Sequence, residues 1–405
     1  MSCSVEPIRV THVITGLAAG GAEMMLLKLL THSRSGEFRH DVISLLDDRP
    51  GPIHTAVERL GIAVQYLGMS WPFPRPSLLV RLARLLTEHK PHIVQGWEVH
   101  GNLAATLAKA SRHVPGKLVW SVHGSLDTPE SERPRTRIIV RCLGMMSRVP
   151  YRIVYVSATS ARQHEANGYQ PSKSVVIPIG FDTDVFKPDA RLRSEVRQEL
   201  QLTQDAVLVG VIARYHPAKD HVNLLDAAAL LRPGLGLQFL LVGRGINYCN
   251  RELTRRIEER QLTGCVRLLG EREDVPRLMA ALDLLVLPSC AEAFPNVVGE
   301  AMACGVPCVV TRVGDTEQIV GDTGLVIPSR DPVALASAIR RLAVMSAEER
   351  HVLGRGARLR IRSRFSIQDI CSQYEDFYRC CVLRSDSLNS RPGESLSRRT
   401  ACARS

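Results

Sequence analysis

The sequence predicts an α/β protein built from two doubly wound domains, each a parallel sheet covered by helices. The chain has 405 residues, which is too many for one ordinary domain and fits two of about 150–200 residues each. Short apolar runs alternate with amphipathic stretches, a pattern typical of parallel sheets covered on both faces. The pattern begins again after Phe186, so we expect one domain over 1–186 and a second over 187–365.

The first half is predicted to hold seven strands, each a short apolar run of the kind that parallel sheets bury on both faces. The predicted strands are Ile8–Ile14, His40–Ser44, Ala63–Tyr66, Ile93–Gln95, Leu118–Ser121, Ile153–Val156 and Ser174–Ile177. Helices are expected between them where apolar residues recur three or four positions apart. The predicted helices are Ala22–His32, Leu78–Leu86 and Leu103–Ser111.

The second half repeats this architecture, although no fixed-period sequence repeat relates the two halves. Its predicted strands are Val207–Ala213, Gln238–Val242, Val266–Leu268, Asp283–Leu287 and Val306–Thr311. Its predicted helices are Leu192–Leu200, His221–Leu231, Arg251–Gln261, Val275–Ala281, Asn296–Cys304 and Val333–Leu342. From about Ser346 to Val382 the chain is expected to be mostly helical. Serine, arginine, proline and glycine then dominate, which predicts a disordered basic tail over 385–405.

Composition narrows the class of protein. Hydrophobic residues make up 45% of the chain and charged residues 23%, as in globular proteins. No apolar run is long enough to cross a membrane, and no basic region followed by an apolar core suggests a secretory signal. The eleven cysteines form no C-x-x-C pair, which argues against zinc and against a disulfide framework. We therefore expect a cytoplasmic protein with reduced thiols.

The positive charge bears on possible partners. The net charge is +11, and the segment Arg133–Arg152 holds six arginines and no acid. Basic surfaces attract nucleic acid or anionic lipid, but zinc-finger spacing and aromatic RNP-type strands are missing, so no nucleic-acid partner is expected. Apolar residues in the same segment suit peripheral contact with the inner face of an anionic membrane. A helix packed on its own domain explains this segment equally well.

The segment Ser289–Val320 predicts a strand–helix–strand unit with an anion site. It reads SCAEAFPNVVGEAMACGVPCVVTRVGDTEQIV and follows a predicted strand. Pro295 is expected to be the first helical residue because its φ is already helical and it needs no N–H partner. The amides of Phe294, Asn296 and Val297 would then point outward at the helix start, where phosphate binds well.

Two carboxylates, Glu292 and Glu300, flank the same helix start. A carboxylate repels phosphate but accepts hydrogen bonds from sugar hydroxyls. A site that holds both an anion and hydroxyl groups suits a nucleotide sugar, which has a phosphate middle and hydroxyl-rich ends. An ordinary βαβ unit with two surface glutamates fits the local pattern equally well.

The stretch EAFPNVVGEAMACGVPCVV, with seven residues between Glu292 and Glu300, resembles the signature of glycosyltransferase family 4. The resemblance continues through Gly314 to Val320. It implies a retaining enzyme of the GT-B fold, in which two Rossmann-like domains face a central cleft. It also implies a last helix, here 366–384, that crosses back onto the N-terminal domain.

Arg214 and Lys219 supply positive charge in the loop ARYHPAKDH. Arg214 follows a predicted strand, at the end where open α/β sheets bind ligands. Arginine grips a diphosphate bidentately and lysine acts as a point charge, although a solvated basic loop is the simpler alternative. The spacing resembles the family's Arg-x-x-x-x-Lys element, which implies stabilisation of a leaving nucleoside diphosphate. By the same resemblance Glu292 orients the donor sugar and Glu300 the ribose. Because Arg214, Lys219 and a helix start carry the diphosphate charge, neither metal nor cofactor is expected to be required.

The N-terminal half offers a glycine-rich loop and a histidine. Gly20 and Gly21 lie in TGLAAGGAE, where glycine allows close backbone approach. This is not G-x-G-x-x-G, so no nicotinamide or flavin is inferred. The loop resembles the family's first loop, which lies beside the donor phosphates and acceptor and includes a glutamate at the position of Glu23. A negative charge that stabilises the helix start is an equally good explanation of Glu23. His123, in VWSVHGS, resembles the family's histidine loop, which contacts the donor sugar near the reacting carbon.

Further residues are assigned more loosely. By resemblance Gly243, Gly245 and Arg272 line the nucleoside pocket, with tight turns as the alternative. Trp97, His100 and Asn102 follow the strand ending at Gln95 and are expected on the acceptor side.

Asp182 and Asp184 need a separate interpretation. The Asp-Thr-Asp sequence resembles the D-x-D metal site of the other large glycosyltransferase class. It lies, however, in a segment that resembles the interdomain linker of family 4. We therefore interpret both aspartates as turn residues rather than metal ligands.

The combined pattern predicts a metal-independent retaining glycosyltransferase. It would move a sugar from a nucleotide-diphosphate donor, with uridine favoured, to a saccharide or lipid-linked acceptor in polysaccharide or glycoconjugate biosynthesis. One alternative is a nucleotide-sugar epimerase on the same fold. Another is a non-catalytic binding protein that has kept the GT-B fold.

Overall fold

A computed structural model describes residues 6–18, 20–34, 36–49, 51–69, 76–111, 113–126, 134–203, 206–231 and 235–383. These residues form two parallel sheets with helices on both faces. The predicted two-domain α/β architecture is therefore confirmed. The predicted tail over 385–405 and Arg133 lie outside the described residues.

The first domain contains a seven-stranded sheet in the order β3-β2-β1-β4-β5-β6-β7, with every pair parallel. Its strands are β1 (Ile8–Ile14), β2 (Phe38–Ser44), β3 (Val64–Tyr66), β4 (Ile93–Trp97), β5 (Lys117–Val122), β6 (Arg152–Tyr155) and β7 (Ser174–Val176). Its helices are α1 (Gly21–His32), α2 (Pro52–Arg59), α3 (Pro76–His89), α4 (Glu98–Lys109), α5 (Pro134–Met146) and α6 (Ala158–Ala166).

The second domain contains a six-stranded parallel sheet in the order β10-β9-β8-β11-β12-β13. Its strands are β8 (Val207–Ile212), β9 (Leu237–Val242), β10 (Val266–Leu268), β11 (Leu284–Leu287), β12 (Cys308–Thr311) and β13 (Leu325–Ile327). Its helices are α7 (Ala190–Glu199), α8 (His221–Leu230), α9 (Arg251–Glu259), α10 (Val275–Ala281), α11 (Asn296–Ala303), α12 (Thr316–Val320) and α13 (Pro332–Ala343).

The central strands are buried on both faces, as the continuous apolar runs predict. Every residue of β4 and of β11 is buried, because helices cover both sides of each sheet. Burying one large apolar side chain contributes about 1.5–3 kcal/mol. The central strands therefore form a rigid base for the loops at their ends.

Each sheet has one point at which the strand order reverses. It lies between β1 and β4 in the first sheet and between β8 and β11 in the second. Ligands of open α/β sheets bind at such points, beyond the carboxyl ends of the strands. The loops that follow these four strands lead to Gly20, Glu98, Arg214 and Glu292 respectively. The topology alone thus brings the predicted site loops to the same edge of each sheet.

The chain passes between the domains at two neighbouring places. Phe181 N donates to Phe365 O at 2.9 Å, and Ile367 N donates to Phe181 O at 3.0 Å. Helices α14 (Ala347–Arg364) and α15 (Ile367–Leu383) follow α13, and α15 packs on α1, β1 and β4 of the first domain. Tyr378 Oη donates to Gln95 Oε1 at 2.5 Å within that contact. This is the crossover that the resemblance implies, while the exact domain limits stay predictions.

Some short elements are not visible in the sequence. Strand β13 has only three residues, and α6 contains no large apolar side chain that would show helical periodicity. Strand β4 continues two residues further than predicted, to Trp97, and the helix predicted at Leu103 begins directly after it at Glu98. Helix α2 and helix α12 are also short and were not predicted.

Candidate functional site

A lysine and a carboxylate pair at the carboxyl edge of the second sheet. Lys219 Nζ lies 2.5 Å from Glu292 Oε1, and Ser289 Oγ donates to the same oxygen at 2.7 Å. Among the described residues, no hydrogen-bond donor reaches Oε2. The Glu292 side chain is 10% exposed and that of Lys219 is 23% exposed. One carboxylate oxygen is therefore fixed, and the other is available to a hydroxyl group.

Helix α11 begins beside this ion pair. Pro295 is its N-cap, with ψ of 112°, and not the first helical residue as predicted. The extended ψ delays the helix by one residue, and proline has no side-chain group that could cap it. The amides of Asn296 and Val297 therefore lack acceptors inside the helix, and the helix dipole favours an anion near them. Phe294 is buried, and its ring lies 6.3 Å from that of Phe181.

Arg214 is exposed on the loop after β8. It forms no hydrogen bond or ion pair with the part of the chain that the structure describes. Burial and the charges of Arg214 and Lys219 lower the pKa of His216, which lies between them in sequence. The side chains of Arg214 and Lys219 are therefore close enough for both charges to affect His216, and both lie in the segment after β8 that the sequence predicts.

The glycine loop after β9 packs against the Arg214 loop. Tyr215 N donates to Arg244 O at 2.8 Å, and Gly243 N donates to Gly270 O at 2.7 Å. Gly243 has a φ of +146°, and a Cβ there would lie 2.2 Å from Ala213 O. Only glycine fits such an approach. Gly243 and Gly245 are thus brought beside Arg214, and their contact with a nucleoside stays a prediction.

Arg272 forms an ion network with two acidic residues. Its guanidinium makes two 2.7 Å hydrogen bonds to Asp274 and also pairs with Glu199 at 3.3 Å. The hydrogen bonds from Arg272 lower the pKa of Asp274 to about 2. Most of its donors are used in these pairs, so we expect Arg272 to contribute little to nucleotide binding, and its predicted role in the nucleoside pocket stays a prediction.

Glu300 faces a cation from the first domain. Burial raises the pKa of Glu300, and the positive charge of Lys28 on α1 opposes that rise. Burial lowers the pKa of Lys28, opposed by Glu300 and Asp182. Lys28 Nζ also donates to Gly180 O at 2.9 Å. The second carboxylate of the motif is thus linked to the first domain, and its ribose role stays a prediction.

The glycine-rich loop of the first domain lies against the start of α11. A Cβ built on Gly21 would have Asn296 Nδ2 of the second domain as its nearest neighbour, at 3.5 Å. Glu23 folds back over Gly20, and burial together with the charge of Asp48 raises the pKa of Glu23. The two halves of the predicted donor site are therefore brought together.

His123 rests on a buried stack of aromatic and imidazole rings. Its ring centroid lies 5.2 Å from that of Trp97, with 29° between the planes, and its Nε2 lies 3.0 Å from Ser121 Oγ. Trp97 Nε1 donates to His12 Nδ1 at 3.1 Å, and His12 lies 3.0 Å from His40. Burial lowers the pKa of His123 to about 3, so its ring is neutral at ordinary pH.

The acceptor-side prediction is wrong for Trp97 and Asn102. Trp97 is 0% exposed and Asn102 is 2% exposed, so neither side chain reaches the cleft. Asn102 Nδ2 donates to Ser121 O at 3.0 Å and so supports the end of β5. Both residues turn inward because β4 continues beyond Gln95 and α4 follows at once. His100 is half-buried, and its acceptor role stays a prediction.

Asp182 and Asp184 behave as turn residues. Asp182 Oδ1 accepts from the amides of Asp184 at 2.9 Å and Val185 at 3.1 Å, which is an Asx-type turn. Over the described ranges, no group of three or more histidine, cysteine, aspartate or glutamate side chains is arranged to hold a metal.

No described helix has both the length and the apolarity to cross a membrane.

Sequence reasoning missed Lys28, Asp48 and Asp315. Asp48 Oδ2 accepts from Leu17 N at 2.6 Å in the glycine-rich loop, and Asp315 binds α6 across the domain boundary. Lys28 carries the one usable signal, a lysine on the apolar face of α1, beside Met25 and Leu29. The other two depend on contacts between distant segments, which no local pattern indicates.

Two family models match the chain. Residues 19–185 match "Glycosyltransferase Family 4", and residues 206–344 match "Glycosyl transferases group 1". The putative glycosyltransferase EpsF of Bacillus subtilis is 27% identical over 371 residues, covering 85% of this chain and 90% of that protein. The D-inositol 3-phosphate glycosyltransferase of Saccharomonospora viridis is 31% identical over 299 residues, covering 70% and 67% respectively.

A solved structure has a similar fold. Anabaena HepE in complex with UDP and glucose superposes with a TM-score of 0.79 at 24% identity. The match covers 92% of this chain and 100% of that chain. The matched region therefore includes residues of both domains.

Proposed function

The chain belongs to family 4 of the glycosyltransferases, the group 1 enzymes of the GT-B fold, and on that premise we propose that it transfers a sugar from a uridine diphosphate donor. The acceptor is a saccharide or lipid-linked saccharide in polysaccharide or glycoconjugate biosynthesis. Uridine is favoured because the similar Anabaena structure is a complex with UDP. Transfer proceeds with retention at the anomeric carbon.

The pairing of Lys219 with Glu292 is the observation that carries this proposal. The two side chains lie 2.5 Å apart beside the uncapped start of α11. A diphosphate needs positive charge and amides, whereas the attached sugar needs a hydrogen-bond acceptor for its hydroxyls. A nucleotide sugar meets both demands at once, with its phosphates at Lys219 and its hydroxyls at Glu292 Oε2.

The chemical step separates charge at the diphosphate. The bond between the anomeric carbon and the β-phosphate oxygen breaks, and the acceptor oxygen bonds to that carbon on the same face. The acceptor proton passes to the departing phosphate. Arg214, Lys219 and the first amides of α11 stabilise the developing negative charge, which is the largest catalytic contribution in many enzymes.

The first domain contributes His123 to the donor sugar. The neutral ring donates or accepts a hydrogen bond without adding charge beside the reacting carbon. Metal is not required in this proposal because side-chain cations and helix amides already balance the diphosphate. Full activity in excess EDTA is the expected result, and activity restored only by added divalent cation would contradict it.

The outer face of α5 suits a lipid-linked acceptor. Ile138 and Met145 are 60% and 78% exposed, and Arg137 and Arg141 are exposed beside them. The inner face packs on its own domain through residues such as Leu143. We propose contact of the outer face with anionic lipid. Binding to anionic but not neutral vesicles is expected, and an Arg137→Glu/Arg141→Glu variant should lose it.

A thermal-shift panel tests the donor assignment. Nucleoside diphosphates and nucleotide sugars of uridine, guanosine and adenosine are compared at equal concentration. A ligand at 100 times its Kd stabilises the folded state by about 2.7 kcal/mol. Uridine ligands are expected to raise the melting temperature most, and a panel in which none raises it would contradict the proposal.

Incubation with donor alone distinguishes transfer from epimerisation. A transferase leaves the donor sugar's configuration unchanged when no acceptor is present, apart from slow hydrolysis. Accumulation of an epimeric nucleotide sugar would contradict the proposal. The anomeric configuration of a transferred sugar, read by proton NMR coupling, tests retention.

A further inference from the structure

An aspartate of the second domain caps a helix of the first domain. Asp315 stands directly before α12, where an aspartate ordinarily accepts hydrogen bonds from its own helix. Its side chain makes no such bond to α12. Its two carboxylate oxygens accept instead from the amides of Ala158 at 2.8 Å and Thr159 at 3.0 Å, the first residues of α6. Asp315 is 6% exposed, so the contact is buried between the domains.

The capping of α6 is divided between the two domains. Ser157 Oγ accepts from Ser160 N at 2.9 Å, which leaves the two preceding amides to Asp315. A carboxylate is the strongest acceptor for that position because it also meets the positive end of the helix dipole. Thr159 Oγ1 adds a hydrogen bond to Gly314 O at 3.2 Å. Loss of the carboxylate would leave buried amides without acceptors, which is costly.

The segment that holds Asp315 also rests on the backbone of the Glu292 loop. Asp315 N donates to Ala293 O at 3.0 Å. Gly314 has a φ of +52°, and a Cβ there would lie 2.4 Å from Glu292 O. Backbone therefore packs directly on backbone, and a shift of Asp315 would move the loop that carries Glu292.

Helix α6 holds the loop after His123 as well. Ser160 Oγ donates to Gly124 O at 2.6 Å. Gln163 Oε1 accepts from Leu126 N at 2.9 Å and from Ser125 Oγ at 3.1 Å. Helix α6 is thus bonded at its first turn to the Gly314–Asp315 segment, which packs on the Glu292 loop, and along its side to the His123 loop.

We propose that Asp315 is a positioning residue that sets the spacing between Glu292 and His123 across the cleft. It does so by capping α6 from the other domain. The inference rests on the proposed function, because that function assigns Glu292 and His123 to the same donor sugar. Since Arg214, Lys219 and the first amides of α11, which carry the diphosphate charge in that proposal, all lie in the second domain, loss of Asp315 should impair turnover more than nucleotide affinity.

The test compares Asp315→Ala with Glu317→Gln. Glu317 lies two positions further on, is 59% exposed and, among the described residues, forms an ion pair with Arg312 of its own domain alone. We expect Asp315→Ala to lower kcat about tenfold or more, because small misplacements of reacting groups are costly. Its Kd for UDP should stay within about twofold of wild type, as should both parameters of Glu317→Gln. A kcat for Asp315→Ala equal to that of Glu317→Gln would overturn the proposal.

A second variant removes the donor instead of the acceptor. Ala158→Pro deletes one amide at the first helical position, where proline is well accepted. The preceding Ser157 has φ −146° and ψ 149°, a conformation that suits a residue before proline. We expect Ala158→Pro to lower kcat with unchanged UDP affinity, and the double variant with Asp315→Ala to lose less than the sum of the two. Full additivity would contradict a shared contact.

Hydrogen exchange tests the contact without relying on catalysis. The amides of the first turn of α6 should exchange faster in Asp315→Ala than in wild type or in Glu317→Gln. Failure of the wild-type protein to bind or transfer any nucleotide sugar would contradict the proposed function. Faster exchange of the α6 amides in Asp315→Ala would still support the capping contact in that case. Unchanged exchange in Asp315→Ala would sink the cap whatever the activity.

Discussion

The two walls of the cleft are built in opposite ways. The wall from the second domain presents its charges on loops, where Arg214 is exposed and Lys219 and Glu292 are partly exposed. The wall from the first domain buries its polar rings, so that His123 rests on Trp97, which is 0% exposed. The wall from the second domain exposes its charged side chains, whereas the wall from the first domain supports His123 with side chains buried beneath it.

This contrast explains why only one wall can be recognised from a short motif. A diphosphate and its sugar require particular charged groups, and in the second domain these lie close together in the sequence. The wall from the first domain needs a histidine supported by buried residues, and many buried sequences supply such support. Variants of the wall from the second domain should therefore mainly lower nucleotide affinity, whereas variants of the wall from the first domain should mainly lower turnover.

The largest effect is expected for Lys219→Ala. It removes the cation paired with Glu292 at 2.5 Å, and loss of one group that stabilises developing charge costs about 10²–10³-fold in kcat. UDP affinity should fall as well, because the same cation binds the ground-state diphosphate. Steady-state kinetics and UDP titration measure both quantities. The exposed Lys187→Ala is the matched control, and equal behaviour of the two variants would contradict the assigned role.

His123→Ala should break the comparison in the other direction. We expect kcat to fall about tenfold to a hundredfold because the donor sugar loses a positioning contact. UDP affinity should remain within twofold, since the proposal assigns the diphosphate charge to Arg214, Lys219 and the α11 amides and not to His123. The exposed His113→Ala serves as control. A large loss of UDP affinity in His123→Ala would show that the first wall binds the nucleotide itself.

Acid should weaken the first domain before the second. Burial lowers the pKa of His40 and His221 to about 4 and that of His123 to about 3. Most histidines with a lowered pKa lie in the first domain: His12, His40, His92, His100, His123 and His164, against His216 and His221. Since unfolding restores ordinary values near 6.5, the unfolded chain binds more protons below that pH. The contribution of these buried histidines to the free energy of unfolding is therefore present above pH 6.5 and is lost as the pH falls towards 4.

Tryptophan fluorescence follows this loss selectively. All three tryptophans, Trp71, Trp97 and Trp120, belong to the first half of the chain. The denaturant concentration at the midpoint of the tryptophan fluorescence transition should decrease as the pH is lowered from 6.5 to 4. His221→Gln should leave this pH dependence unchanged. A denaturation midpoint, followed by tryptophan fluorescence, that does not change over this pH range would contradict the presence of buried neutral histidines in the first domain.

The smallest effect is expected for Arg272→Ala. Its ion pairs with Asp274 and Glu199 are partly exposed, and such pairs contribute about 0–1 kcal/mol to stability. Because these pairs occupy the guanidinium, UDP affinity and kcat should hardly change. Chemical denaturation and UDP titration measure the two effects. A tenfold weaker UDP affinity would restore Arg272 to the nucleoside pocket.

Much of the second wall could be predicted from the sequence because its elements are local. Glu292 and Glu300 lie on one strand–helix unit, and Arg214 and Lys219 lie on one loop. The strand that ends at Trp97 shows the limit of such reasoning. Two extra strand residues turn Trp97 into the core, and an apolar run does not specify where pairing stops.

Contacts between the domains could not be predicted at all. Asp315 meets α6 across a separation of 157 positions from Ala158, and the charge of Lys28 on α1 acts on Glu300 of the second domain. Asp315 is an ordinary polar residue in its local sequence, and the position of Lys28 on an apolar helix face does not indicate its partner. Only the packing of the two sheets brings these partners together, and the same packing places Gly21 beside Asn296.

The central claim is that the second wall holds the diphosphate through Lys219 and α11 while Glu292 binds the attached sugar. Calorimetric titration of Glu292→Gln with UDP and with the UDP-sugar of the native donor tests it most directly. The account predicts wild-type affinity for UDP and about tenfold weaker affinity for the UDP-sugar, as for loss of a charged hydrogen bond. Equal weakening of both ligands, or of neither, would contradict it.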